Sequence, residues 1–324
     1  MMSFSSLPPE LVLHIAAMLH SARDIYTLAS VSRGLYQLLK KYLYQYNVDH
    51  ENSSGLVRAA GKGSLSAIYR FLQLPRVNVH VRNDAGQTIL HVAAQQHDEL
   101  YIMMILLRDS RMGVNATDTE GRTPLSYAAS NDDCRPLGIL LRRTDIDLLD
   151  DARLDPNLSP SFFSPLAIAA AGDSLELLEL LLSDQRVKVN NQTRGSIHPL
   201  ISAVQGKESC ALRLLCVPNI NVNCCWARMS ALMFGCILRR NACVNELLKY
   251  DEIDVNHQDP GGRTALMIAI EERNGEASMA LLDRKEIDLT LANVRGERAL
   301  DYAHKSNDSR TLGRIRQRLA ASNA

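Results

Sequence analysis

The chain has 324 residues, 46% of them hydrophobic, and its 36 basic side chains are matched by 36 acidic ones. That neutrality excludes a general electrostatic grip on nucleic acid or on an anionic membrane surface, each of which needs a basic surplus, and no apolar stretch approaches the roughly 20 residues that cross a bilayer. Aromatic residues make up only 5%, with a single Trp, which points to many thin layers of Leu, Ile and Ala rather than one large core.

The first ten residues read MMSFSSLPPE. They hold neither a basic n-region nor a small-residue cleavage site, so no signal peptide is expected and the cytoplasm or nucleus is the expected compartment. In that reducing setting the seven Cys are expected as thiols that pack like small hydrophobes. Pro8 and Pro9 pre-set a helix start after Ser6, with Glu10 in the first turn, where negative charge meets the positive end of the helix. Along that helix Leu11, Ile15, Met18 and Leu19 form one stripe and Val12, Ala16 and Leu19 the next, so it is apolar over more than one face. A second helix is expected from near Arg23 and Asp24 with Ile25, Leu28 and Ala29 inward, and a third carries Leu35, Leu38, Leu39 and Leu43. Three helices in about 45 residues cannot bury that much apolar surface among themselves. The surplus must meet the next segment or another protein.

Residues 7–41 carry L-P-x-E-L-x-x-x-I-x-x-x-L, a spacer, then D-I-x-x-L-A-x-V-S-R-x-L-Y, and this stretch resembles an F-box. The resemblance implies docking on the Skp-type adaptor of a cullin-based ubiquitin ligase. Its adaptor contacts would be Leu7, Pro8, Leu11, Ile15, Leu19, Leu28, Val31 and Ser32. Gly34 and Leu35 depart from the family, which often has a bulkier aromatic there, and this bears on affinity.

Beyond residue 48 one pattern recurs. TILHVAA (from Thr88), TPLSYAA (Thr123), SPLAIAA (Ser164), HPLISAV (His198), SALMFGC (Ser230), TALMIAI (Thr264) and RALDYAH (Arg298) succeed a worn SGLVRAA (Ser54) at intervals of 32 to 41 residues, most of them 34. After each comes a second apolar helix such as LELLELLLS (175–183). A short branched segment such as VNV (77–79) is next, then a turn, clearest in DTEGRT (118–123) and DPGGRT (259–264). Thr or Ser suits an N-cap, where its hydroxyl satisfies an orphan N–H. Pro124, Pro165 and Pro199 suit the next position because their missing donor is not needed there. Paired Ala lets two short helices approach, and Gly serves the turn. No single copy can bury both faces, so copies must stack.

This pattern resembles the ankyrin repeat, whose T-P-L-H-x-A signature stands nearly intact at 88–93 and 123–128. The resemblances together imply an all-α fold: a short helical F-box domain (1–48), then an ankyrin-repeat solenoid (49–324) of about eight helix-turn-helix copies beginning near residues 52, 83, 118, 159, 193, 225, 259 and 293. Copies four to six lack the D-x-x-G turn, and about seven residues are inserted ahead of copy four, within LLDDARLDPNLSPSFF. The last helix is basic through Arg310, Arg314, Arg316 and Arg318, as the polar cap of a solenoid end should be.

Catalytic chemistry finds little support. GKGS (61–64) lacks the strand and spacing of a phosphate loop and reads as the turn inside copy one. His91 sits at the repeat's own histidine position, where a structural hydrogen bond is the ordinary role, and no nucleophile with a paired base can be argued from it. Cys210, Cys216, Cys224, Cys225, Cys236 and Cys243 crowd together without C-x-x-C knuckles, which favours packing over zinc. No catalytic residue, cofactor or metal is expected.

The ankyrin resemblance implies binding through hairpin fingertips and the concave ends of the first helices. On the tips stand Phe162 and Phe163 in copy four, Ile197 in five, and Trp226 and Met229 in six, with Ile237 and Leu238 on the concave side; elsewhere such slots hold Thr119, Glu120, Gln95, Gln96, Arg263, Glu271 and Glu272. Large apolar groups rimmed by charge point to a partner. The expected function is that of a non-enzymatic substrate-recognition subunit of a Skp–cullin–F-box ligase, with a client protein unspecified by the sequence. The alternative is an ankyrin scaffold or inhibitor whose N-terminal helices only cap the array.

Overall fold

The computed structural model describes residues 7–96, 100–147, 164–172, 174–190 and 197–322. It divides into two compact units, residues 1–146 and 147–324. The first unit begins with α1 (Pro9–Met18), α2 (Ala22–Ser30) and α3 (Arg33–His50), the last two starting at serine caps. Pro8 and Pro9 open α1. The Ser21 hydroxyl accepts the Arg23 N–H at 3.2 Å, and the Ser32 hydroxyl accepts the Leu35 N–H at 3.2 Å. Val12, Ala16, Ile25, Ala29, Leu35 and Leu39 form the core of this three-helix domain, with Leu7, Leu19, Leu28, Leu38 and Leu43 half-buried against it. Of the two stripes on α1, the small one of Val12 and Ala16 faces in, because close helix packing needs short side chains there.

The second half of α3 belongs to the repeats. Its Asn47 is buried; the side-chain carbonyl accepts the Gly55 N–H at 2.9 Å and the amide donates to the Ser54 hydroxyl at 3.3 Å. Tyr44 meets Phe71 edge-on at 4.8 Å. A Cβ on Gly55 would stand 2.6 Å from the Phe71 ring and 2.8 Å from the Asn47 oxygen, so only glycine lets α3 lie this close. Three helix pairs then stack: α4 (Ser54–Gly61) with α5 (Leu65–Leu72), α6 (Ile89–Gln95) with α7 (Leu100–Arg108), and α8 (Pro124–Ala129) with α9 (Cys134–Leu141).

Among its described residues the second unit holds five pairs: α10 (Pro165–Ala171) with α11 (Leu175–Leu182), α12 (Pro199–Gln205) with α13 (Glu208–Leu215), α14 (Ala231–Ile237) with α15 (Asn241–Leu247), α16 (Ala265–Glu271) with α17 (Gly275–Asp283), and α18 (Ala299–Ser306) with α19 (Ser309–Ser322). The N-caps are those the repeat predicts. Hydroxyls of Thr123, Ser164, Ser230 and Thr264 accept the N–H three residues on, at 3.2, 3.0, 3.3 and 3.4 Å. Every residue of α14 from Ala231 to Cys236 and of α16 from Ala265 to Ile270 is buried, as a helix flanked on several sides by neighbours must be. In α18 only Ala299 and Ala303 are buried, which is the polar termination a stacked array needs.

Between helix pairs the chain turns back in fingers. Asp118 and Asp259 organise two of them: each buried carboxylate accepts two backbone N–H groups at 2.8–2.9 Å, and accepts the Nε–H of Arg122 or Arg263 at 3.0 or 2.9 Å. Gly262 sits at φ +73 with the next finger against it, so a Cβ would fall 2.9 Å from the Asn293 Cα. Copy six closes its finger differently. Strand β1 (Cys225–Trp226) pairs antiparallel with β2 (Met229–Ser230), and the two-residue loop puts Ala227 and Arg228 at φ +50 and +63. Paired positive φ values match the twist of a tight hairpin but cost about 1–2 kcal/mol for each residue carrying a Cβ.

Candidate interaction surfaces

The three-helix domain is apolar outside as well as in. Leu11 (51% exposed) and Val31 (62%) face solvent, together with Leu13, Met18, Tyr26 and Tyr36. Among the other residues expected to hold an adaptor, Pro8 is exposed, while Leu7, Ile15, Leu19 and Leu28 are half-buried. Ser32 is half-buried too, its hydroxyl engaged in capping α3. Beside it lies a shallow depression of about 240 Å³ lined by Ala29, Ser30, Ser32, Arg33, Tyr36 and Gln37. Nothing in the spacing alone says which side of α2 and α3 Tyr26 and Tyr36 take.

On the repeats, Trp226 is 37% exposed with its ring 6.2 Å from that of Phe234, Leu238 is exposed, and Met229 and Ile237 are half-buried. Phe162 and Phe163 lie outside the described residues. Ile197 departs from its expected place on a fingertip, being 7% exposed. It stands immediately before the N-cap, the slot of Gln87, Arg122 and Arg263. Those side chains fold back to hydrogen-bond Tyr127, Asp118 and Asp259 rather than project outward.

The polar cluster around His91 and Tyr127 is satisfied rather than reactive. His91 Nδ1 accepts the Thr88 N–H at 3.1 Å, so its proton sits on Nε2 and donates to the Arg122 carbonyl at 2.9 Å. Burial holds its pKa below the ordinary histidine value. The Tyr127 hydroxyl donates to Asp118 at 2.7 Å and accepts from Gln87 at 2.9 Å, and Arg122 lies over the Tyr127 ring at 4.8 Å. His198 takes the N-cap slot of α12, its Nδ1 accepting the Leu200 N–H at 3.2 Å; Nε2 is buried with no partner among the described residues, and burial pushes the ring down to about 4.

Cysteines divide by place. Cys210, Cys224, Cys236 and Cys243 are buried, and desolvation pushes the last two up to about 12. Cys225 lies 3.6 Å from His257 Nε2, yet burial and the Asp254 carboxylate raise its thiol, the reverse of what a nucleophilic cysteine needs. Among the described residues no three His, Cys, Asp or Glu side chains converge as metal ligands, and no helix is long and apolar enough to cross a membrane.

Family models match parts of this chain. The F-box-like family model matches residues 4–47, and the ankyrin-repeat model matches residues 56–150 and 166–259, more than half of the chain. Among curated proteins, the tyrosine-protein kinase Shark of Drosophila melanogaster is 31% identical over 136 residues, 42% of this chain and 14% of that protein. The putative ankyrin repeat protein FPV014 of Fowlpox virus (strain NVSL) is 27% identical over 161 residues, 49% of this chain and 34% of that one. The match thus spans about a seventh and a third of these relatives' lengths. Among solved structures, the human ASB11 ankyrin repeat domain is similar at 22% identity and TM-score 0.44, over 82% of this chain and 97% of that one. The ankyrin repeat domain of Bcl-3, a unique member of the IkappaB protein family, is similar at 18% identity and TM-score 0.46, over 81% and 97%. The chain belongs to the ankyrin-repeat family and, with an F-box-like domain ahead of its repeats, is an F-box protein with a role in protein–protein interaction.

Proposed function

We propose that this protein is the substrate-recognition subunit of a Skp–cullin–F-box ubiquitin ligase, its three-helix domain holding the Skp-type adaptor and its repeats holding a client. One observation carries the adaptor half: the domain fills its core with Val12, Ala16, Ile25, Ala29, Leu35 and Leu39 and still turns Leu11, Leu13, Met18 and Val31 to solvent. Such an apolar face calls for a partner. The client would lie along Trp226, Met229, Ile237 and Leu238. Catalysis in such an assembly is proximity: a client lysine held near a charged ubiquitin carrier reacts at a raised effective concentration, and this chain supplies no reacting group. The reading places the protein in the cytoplasm or nucleus.

The test is co-purification with a Skp-type adaptor, wild type beside Leu11→Glu/Val31→Glu. Both positions are exposed, so the variant should keep its helical circular dichroism and lose stoichiometric capture. Failure of the wild type to capture the adaptor would sink the receptor reading. The scaffold reading would then gain from a second observation, that the Asn47 end of α3 is bonded into the first helix pair and covers it.

A further inference from the structure

We propose that the fingertips of copies six to eight form a recognition site for a short acidic segment of the client, read by an apolar ridge and two free guanidinium groups. This rests on the repeats being the client-holding half of the receptor. Four residues ahead of the N-cap in three successive copies stand Trp226, Pro260 and Val294, the last 77% exposed and the others open to solvent. Their fingers are tied edge to edge. His257 Nε2 lies 3.1 Å from the Arg228 carbonyl, the Val294 N–H donates to the Gly261 carbonyl at 2.9 Å, and the Gln258 amide donates to the Ala292 carbonyl at 3.0 Å. With neighbouring layers at the usual spacing of about 8–10 Å, the ridge spans roughly 20 Å, the reach of about six extended residues.

Charge decides what lies there. Arg263 is taken up by Asp259 and Glu271, as Arg122 is by Asp118 and Glu120. Arg228 and Arg295 form no ion pair among the described residues, although Arg295 lies near enough to the Lys305–Glu297 pair to help hold the Glu297 carboxyl below its ordinary value. Arg228 stands at the positive-φ slot that Gly262 and Gly296 occupy in copies seven and eight. A guanidinium thus sits on a strained turn where glycine would fold with ease, beside the chain's single Trp. An unpaired guanidinium next to an apolar ridge matches a carboxylate flanked by an aliphatic or aromatic side chain, since Arg binds carboxylates through two parallel hydrogen bonds. A phosphate backbone fits less well: it needs an unbroken basic track, and Glu297 and Asp254 interrupt this one.

A phage-displayed random peptide library panned on the full-length protein tests this. Enriched peptides should carry Asp or Glu beside a large apolar residue. A fluorescein-labelled copy of one should bind at least tenfold more weakly to Arg228→Glu/Arg295→Glu, and its binding should weaken with rising salt. Arg228→Gly relieves the turn while removing the charge, so it should gain stability and still lose affinity, which separates recognition from folding. No enrichment, neutral or basic enriched peptides, full affinity in the charge-reversed protein, or preference for a mixed-sequence single-stranded RNA would each overturn the proposal. Adaptor capture is measured separately, so its failure would be told apart from failure here.

Discussion

His198 gives the sharpest test of how burial governs this fold. Its ring caps α12 through Nδ1, and burial lowers its pKa from an ordinary 6.5 to about 4. A histidine that stays neutral in the folded state is stabilising only relative to an unfolded chain that would also be neutral, so above about pH 6.5 it makes no pH-dependent contribution. Below that the unfolded chain takes up the proton first, and stability falls with pH until the folded ring titrates near 4. At about 1.4 kcal/mol per pH unit the full loss approaches about 3.4 kcal/mol, of which about 2 kcal/mol is already felt at pH 5. His198→Thr restores the hydroxyl cap found at Thr123 and Thr264 and removes the titrating group. Urea unfolding followed by Trp226 fluorescence, from pH 7.5 to 5, should show the wild type losing about 2 kcal/mol more than the variant. Parallel curves would refute the reasoning, whatever the offset between them.

Three further outcomes come from the finger geometry. Gly262→Ala combines a φ of +73 with a Cβ driven 2.9 Å from Asn293, and should cost about 2–3 kcal/mol, whereas Gly296→Ala at φ +78 meets nothing within 4 Å and should cost about 1; denaturant midpoints of the two compare them directly. Ala227→Gly should stabilise by about 1 kcal/mol, because it removes a Cβ from a residue at φ +50, and a lowered melting temperature would contradict the strain assigned to the hairpin. Tyr127→Phe takes a 2.7 Å hydrogen bond from buried Asp118 and should cost about 1.5–3 kcal/mol near neutrality. Burial drives the Asp118 pKa up, but the Tyr127 and Arg122 hydrogen bonds outweigh it and hold the carboxyl below 3.8. The penalty should therefore shrink as pH falls below that value, and an acid-independent penalty would argue against the charged bond.

What could be read from the sequence was what depends on local chemistry. A hydroxyl, a proline and paired alanines at a period of about 34 dictate a capped helix and its layer, and Thr123, Ser164, Ser230 and Thr264 do cap as that chemistry requires. Contacts between layers were not legible. Ile197 reads as an exposed tip residue until the slot before the cap is seen to point back into the finger, and His198 reads as a failed threonine until its Nδ1 is seen to do the same work. On α1 two stripes competed, and only packing against α3 chose the smaller one. Val294 gives no signal in the sequence because its neighbours are polar; a single apolar residue gains meaning only when the fold lines it up with Trp226 and Pro260.

One feature of the first unit governs distance and angle together. Helix α3 runs 18 residues, about 27 Å, from Leu35 and Leu39 in the three-helix core to Asn47 and Tyr44 against the first helix pair, with no hinge between. Whatever sits on the three-helix domain is thereby geared to the first repeat as by a keyed shaft rather than tethered by a chain. Its reach is set by helical rise instead of by random-coil statistics. Gearing of this kind has a phase as well as a length. A single residue inserted between Leu39 and Tyr44 would turn one end against the other by about 100° while lengthening the shaft by only about 1.5 Å.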